Sequence, residues 1–223
     1  MRKYGIIVAG GSGSRMGGTV PKQFLLLHGQ AVLWHTIKAF ATAFADIEII
    51  LVLPANYLDA CNDLITAFPA HKIRIVTGGD TRFASVKNGV QCVMEKSVVF
   101  VHDGVRCLVT PELIRRCYEE TQDKGNAVPA VKPTDSIRIV TGQENEQIDR
   151  DKVRIIQTPQ TFLSDLLIDG FKQDYRPGFT DEASVVEQAG VKINIIPGDV
   201  RNIKITEPVD FLIAEKIMQG RDK

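Results

Sequence analysis

The sequence carries no net charge: 27 basic residues balance 27 acidic ones over 223 positions. No global field is therefore available to hold a polyanion, and no Lys/Arg-rich run offers a tail for nucleic acid, so a small partner is expected. Long apolar runs are missing as well. The first residues are charged and then apolar, but the apolar stretch stops at Gly10 without a cleavage site. Nothing later approaches the ~20 apolar residues that span a bilayer, so a cytoplasmic protein with no membrane attachment is expected. Cys61, Cys92, Cys107 and Cys117 lack C-x-x-C spacing, and His28, His35, His71 and His102 form no H-x-x-x-H pair. Neither a zinc site nor a disulfide framework is indicated. Internal repeats and low-complexity tracts are also absent.

What remains is a chain with 44% hydrophobic residues, enough for a full core in one domain with an excursion. Strand-length apolar runs at 4–8, 48–53, 73–77, 98–102, 127–131 and 192–196 alternate with amphipathic stretches. These predict helices near 31–44, 57–68, 83–94, 111–124, 184–189 and 208–218. Such alternation implies an α/β, Rossmann-like, mostly parallel sheet flanked by helices. Thr110-Pro111-Glu112 and Thr206-Glu207-Pro208 each place a hydroxyl before an early proline and acid, the chemistry of a helix start. Residues 132–154 break the rhythm with charged residues around short β-prone pieces, and predict a projecting β arm. On composition alone that arm is a solvated surface hairpin.

The most informative segment follows the first strand: Ala9-Gly10-Gly11-Ser12-Gly13-Ser14-Arg15-Met16-Gly17-Gly18, and soon after it Pro21-Lys22-Gln23. Glycines at the carboxyl edge of a strand let successive N–H groups converge on phosphate oxygens, and Arg15 and Lys22 add positive charge. Two familiar phosphate loops fail on spacing. No glycine is followed by Lys-Ser or Lys-Thr, as a Walker A loop requires, and Gly11 and Gly13 are followed by Met16 where a dinucleotide fingerprint needs glycine. An NAD-binding oxidoreductase is thereby weakened. A purely structural glycine-rich turn is the plain alternative, which the two cations oppose.

A second motif, Gly78-Gly79-Asp80-Thr81-Arg82-Phe83-Ala84-Ser85-Val86, follows the third predicted strand. Read alone it is a helix-capping turn. A third, Val98 to Arg106, ends an apolar run in His102-Asp103, placing a carboxylate where Mg²⁺ or a substrate hydroxyl could be met. The alternative is that Asp103 caps the following turn.

The first loop with Pro21-Lys22-Gln23 resembles the signature of sugar-phosphate nucleotidyltransferases. With Ile148-Asp149-Arg150, Gln157-Thr158-Pro159-Gln160, Thr180-Asp181-Glu182-Ala183-Ser184 and Asn202-Ile203-Lys204-Ile205-Thr206, nearly the whole chain resembles the 2-C-methyl-D-erythritol 4-phosphate cytidylyltransferases of non-mevalonate isoprenoid biosynthesis. The resemblance implies CTP and a polyol phosphate as substrates, and Mg²⁺ as cofactor. It implies catalytic roles for Arg15, Lys22, Arg150 and Lys204, and nucleotide binding by Ala9, Gly10, Gly11, Ser12, Gly13, Gly79, Asp80 and Ser85. Acceptor contacts would come from Asp103, Arg106, Ser136, Arg150, Thr158 and Thr180, with Asp103 also a metal ligand. It further implies a homodimer in which the arm carries Ser136 and Arg150 into a second subunit's site. Two departures stand out: Cys107 replaces the proline usual after Arg106, and Asp135-Ser136 replaces Asp-Thr. A ribitol-5-phosphate cytidylyltransferase shares the loop and the reaction type, although Arg82 to Val86 and Thr180 to Ser184 favour the isoprenoid enzyme. A non-catalytic nucleotide-binding module is the remaining reading.

Overall fold

A computed structural model describes residues 1–10, 20–58 and 61–221. In chain order these form β1 (Arg2–Val8), β2 (Leu26–Leu27), β3 (Gln30–Ala31), α1 (Val32–Ala43), β4 (Glu48–Leu53) and α2 (Asn62–Thr66). There follow β5 (Ile73–Thr77), α3 (Arg82–Val90), β6 (Ser97–Asp103), α4 (Pro111–Lys124) and β7 (Asn126–Val131). The last part contains β8 (Ile137–Thr141), β9 (Glu144–Ile148), β10 (Ile155–Ile156), β11 (Gln160–Leu163), α5 (Ser164–Gly170), α6 (Glu182–Gln188), β12 (Ile195–Pro197) and α7 (Pro208–Arg221).

The strands β5, β4, β1 and β6 run parallel in that order, and β11 then joins antiparallel between β6 and β7. β12 lies parallel on the far side of β7, with β10 beside the end of β7. Every residue of β4 and β6 is buried, because helices cover both faces, and this explains their unbroken apolar runs. The two faces separate by the period of two. Ile7, Ile49, Leu51 and Phe100 pack under α1 and α4 with Phe40 and Ile114. Ile6, Ile50, Val52, Val99 and Val101 pack against α3, α5 and α6 with Val86, Leu167 and Val186.

From β1 the chain moves outward to β4 and β5, then returns across β1 to β6. The connections therefore diverge between the carboxyl ends of β1 and β6, the place where open α/β sheets bind ligands. Gly104 permits the close approach there: a Cβ on it would lie 3.0 Å from Ala9 Cβ and 3.2 Å from Val8 O.

Three expectations need correction. The helix expected at 57–68 is a single 3-10 turn, Ala55–Tyr57, followed by the five-residue α2; no side chain caps α2, and Pro69 disfavours helix at Phe68. The strand expected at 192–196 is shifted to β12, since the Asn126 side chain accepts the Asn194 N–H at 2.7 Å and replaces a ladder bond. At the start of α7, Thr206 does not cap by accepting; its N–H and hydroxyl both donate to Asp210, at 2.8 Å each. Thr110 does cap α4, accepting from Leu113 N–H at 3.3 Å. Among the described residues β8 and β9 pair only with each other, forming a hairpin whose residues are almost all exposed.

Candidate active site

A cleft of about 490 Å³ opens at the divergence of β1 and β6, lined by Ala9, Gly10, Lys22, Asp80, Arg82, Asp103, Lys204 and their neighbours. Its first wall is the end of β1, where Ala9 N–H donates to Val52 O at 2.9 Å. Lys22 opens the 3-10 turn Lys22–Phe24. The buried Gln23 beside it donates from Nε2 to Ala9 O at 2.8 Å, tying that turn to β1. Gly11, Ser12, Gly13 and Arg15 lie outside the described residues.

The second wall is the turn from β5 into α3. Thr81 caps α3 by accepting from Ala84 N–H at 3.0 Å. Ser85 is buried, and its Oγ accepts from Gly79 N–H at 3.1 Å and donates to Gly79 O at 3.3 Å. The hydroxyl thus holds the shape of the turn, while Gly79 and Asp80 are exposed on the cleft.

The floor is a charge cluster centred on the buried Asp103. Its Oδ2 receives Lys204 Nζ at 3.0 Å and Arg106 Nε at 3.3 Å, and its Oδ1 receives Arg82 at 3.4 Å. Arg82 in turn grips Glu182 with both terminal nitrogens. Burial alone would push the Asp103 carboxyl upward, but Arg82, Lys204 and Arg106 outweigh it and hold the group well below the usual carboxylate range. Arg106 also donates to Asn202 O at 2.9 Å.

Thr158 works behind this floor. Its hydroxyl accepts from Asp103 N–H at 3.1 Å and bonds His102 Nδ1 at 3.0 Å, and His102 Nε2 lies 3.2 Å from Arg106 O. A carbonyl can only accept, so Nε2 carries the proton and Nδ1 accepts from Thr158. Burial lowers His102 to about 4, keeping the ring neutral. Thr158 is itself buried, so its hydroxyl aligns Asp103 and is not presented to the cleft.

A match to the family model described as IspD: 2-C-methyl-D-erythritol 4-phosphate cytidylyltransferase covers residues 4–220. The chain belongs to this family. A protein of that name from Phocaeicola vulgatus is 42% identical over 219 residues, covering 98% of this chain and all of the relative. One from Azobacteroides pseudotrichonymphae is 44% identical over 222 residues, at 97% and 99% coverage. Among solved structures, 4-diphosphocytidyl-2C-methyl-D-erythritol synthase from Anaerococcus prevotii superposes with TM-score 0.85 at 28% identity, covering 98% of each chain. The Thermus thermophilus 2-C-methyl-D-erythritol 4-phosphate cytidylyltransferase gives TM-score 0.79 at 27% identity, covering 98% of this chain and all of that one.

The cytidylyltransferase fold brings Ala9, Gly10, Lys22, Gly79, Asp80, Ser85, Asp103 and Lys204 to one cleft, and Arg106 to its floor. It does not bring Ser136, Arg150 or Thr180 there within one chain. Ser136 and Arg150 line a separate hollow at the foot of the hairpin, where Arg150 donates to Thr134 O at 2.6 Å. Thr180 is exposed just before α6.

The reading of Asp103 as a metal ligand does not fit this donor set. Both its oxygens are taken by cations, and no cluster of three His, Cys, Asp or Glu side chains exists among the described residues. Sequence reasoning passed over Arg82, Glu182 and Gln23. All three stood inside quoted motifs, yet a buried carboxylate in a helix's first turn has no sequence signature separating it from a cap.

Proposed function

We propose that this cleft joins CTP to 2-C-methyl-D-erythritol 4-phosphate, giving 4-diphosphocytidyl-2-C-methyl-D-erythritol and pyrophosphate. An oxygen of the acceptor phosphate attacks the α-phosphorus of CTP, and the bond from that phosphorus to the β-phosphate bridging oxygen breaks, with its electron pair leaving on pyrophosphate. The nucleophile is already an anion, so no protein base is required. The barrier lies in bringing two anions together and in the charge that builds on the α-phosphoryl oxygens, both met by positioned cations and amides.

The observation that carries this reading is the approach of Lys22 and Lys204 to one cleft beside the end of β1. Arg15 and Lys22 would stabilise the transition state, the amides of Gly10, Gly11, Ser12 and Gly13 would hold the triphosphate, and Gly79, Asp80 and Ser85 would form the cytidine pocket. Asp103, Arg106 and Lys204 would face the acceptor, with Thr158 supporting Asp103 from behind. Mg²⁺ would arrive with CTP as counter-ion of its phosphates, and no side chain is assigned to it. Ser136 and Arg150 would complete the site from the partner subunit of a homodimer, delivered by the hairpin, and Thr180 would close the acceptor end. A cytoplasmic location goes with these substrates; no helix among the described residues is long and apolar enough to cross a membrane.

The test offers purified protein CTP with methylerythritol phosphate or ribitol 5-phosphate and follows pyrophosphate. Release with the first acceptor alone is expected. Release with ribitol phosphate alone would replace the acceptor assignment.

A further inference from the structure

We infer that Glu182 is a positioning residue for the acceptor phosphate, acting through Arg82 to leave Asp103 free to hold Lys204. The inference rests on the reading of the cleft proposed above and deepens it. Glu182 opens α6, is 1% exposed, and sends both carboxylate oxygens to Arg82. Arg82 opens α3, lines the cleft, and has a side chain 30% exposed.

The two helix starts are electrostatically unequal. An acid in the first turn of α6 is favoured by the helix dipole, whereas a cation in the first turn of α3 is disfavoured. Arg82 is therefore kept in place by its partners, against its own helix. Of these, Glu182 holds the shorter, bidentate grip, and the contact to Asp103 Oδ1 is long at 3.4 Å. Held by Glu182, Arg82 meets Asp103 only at Oδ1, and Oδ2 remains for Lys204 at 3.0 Å and Arg106 at 3.3 Å. A plain structural pair would have no reason to border the cleft or to share its arginine with the carboxylate that binds Lys204.

Neutralising Glu182 would release Arg82 toward Asp103, where it would compete with Lys204. The cleft would also gain one positive charge. These changes act in opposite directions: a more positive cleft keeps or strengthens ground-state binding of the triphosphate, while a displaced lysine loses turnover. Loss of a merely structural pair would weaken both together.

The experiment compares wild type, Glu182→Gln, Glu182→Asp and Arg82→Lys, each checked for folding by thermal unfolding. For Glu182→Gln the expected result is a kcat lower by about ten- to a hundredfold, the scale of a small misplacement, with CTP affinity by calorimetry unchanged or tighter. Glu182→Asp keeps the charge and should recover part of the turnover. Arg82→Lys cannot make the bidentate contact and should show the same split, which keeps the idea testable if the glutamine variant does not fold. Unchanged kcat in a folded variant overturns the inference, as does a parallel loss of kcat and CTP affinity. A wild-type protein that releases no pyrophosphate sinks the functional reading and this inference with it. An active wild type with unaffected variants sinks the inference alone.

Discussion

At the carboxyl edge of β6, Asp103, Arg82, Glu182 and Arg106 pack into a connected, mostly buried set. The β8–β9 hairpin and its flanks spread the same residue types into water, with pairs such as Lys132–Asp151 and Lys152–Asp149 more than half exposed on both sides. The difference is what the surroundings do to a charge. In the cluster, solvent cannot replace a lost partner, so each charge constrains the next. On the hairpin of a single chain, water and salt screen such pairs, which are worth about 0–1 kcal/mol.

The largest effect expected from this contrast is kinetic. Lys22→Ala should lower kcat by about a hundred- to a thousandfold, the usual result of deleting one preorganised donor at a phosphoryl or acyl centre, with a much smaller change in CTP affinity. Lys152→Ala, an equally large deletion on the hairpin side, should leave kcat unaltered. Steady-state kinetics beside calorimetry reads both, and a Lys22 defect confined to affinity would end its transition-state role.

Next comes a pH effect beneath the cluster. His102 is fully buried and lowered to about 4, whereas the unfolded ring titrates near about 6.5. Its neutral form is favoured in the fold, so its contribution is intact above the unfolded value and is lost as pH falls toward the folded one, reaching about 3 kcal/mol. Urea unfolding between those limits should be steeper in pH for wild type than for His102→Gln. Burial also lowers His35, so the slope that remains in the variant belongs partly to that ring. Parallel slopes would show that His102 does not titrate as described.

The smallest expected effect tests the other half of the contrast. Lys132→Ala should shift unfolding free energy by less than about 0.5 kcal/mol at moderate salt. A larger loss would mean that the dimer contact proposed for the hairpin extends over Lys132.

The sheet was legible where physics leaves a simple trace. Ile6 to Val8, the run from Ile49 to Leu53 and Val98 to Val101 are apolar because both faces are covered, and the glycines after β1 mark the ligand edge. β11 left no such trace: Gln160 and Thr161 are buried within it, and Gln160 spends its amide on Asp181 and Ala183 N–H at 2.9 and 2.7 Å. A polar pair of this kind reads as a turn until the partners are known. Glu182 was hidden for the same reason, since its meaning depends on Arg82, a hundred residues away in sequence. Thr158 shows the opposite case, a hydroxyl expected to meet ligand that the fold turns to Asp103 N–H and His102 Nδ1.

The bond from Gln23 to Ala9 O also bears on loop-closure entropy. It staples together the two ends of the segment that leaves β1 and returns at Lys22, so the cost of bringing those ends together is met by the fold before any nucleotide arrives. CTP then meets a lysine at the far end of that segment already mounted against the sheet.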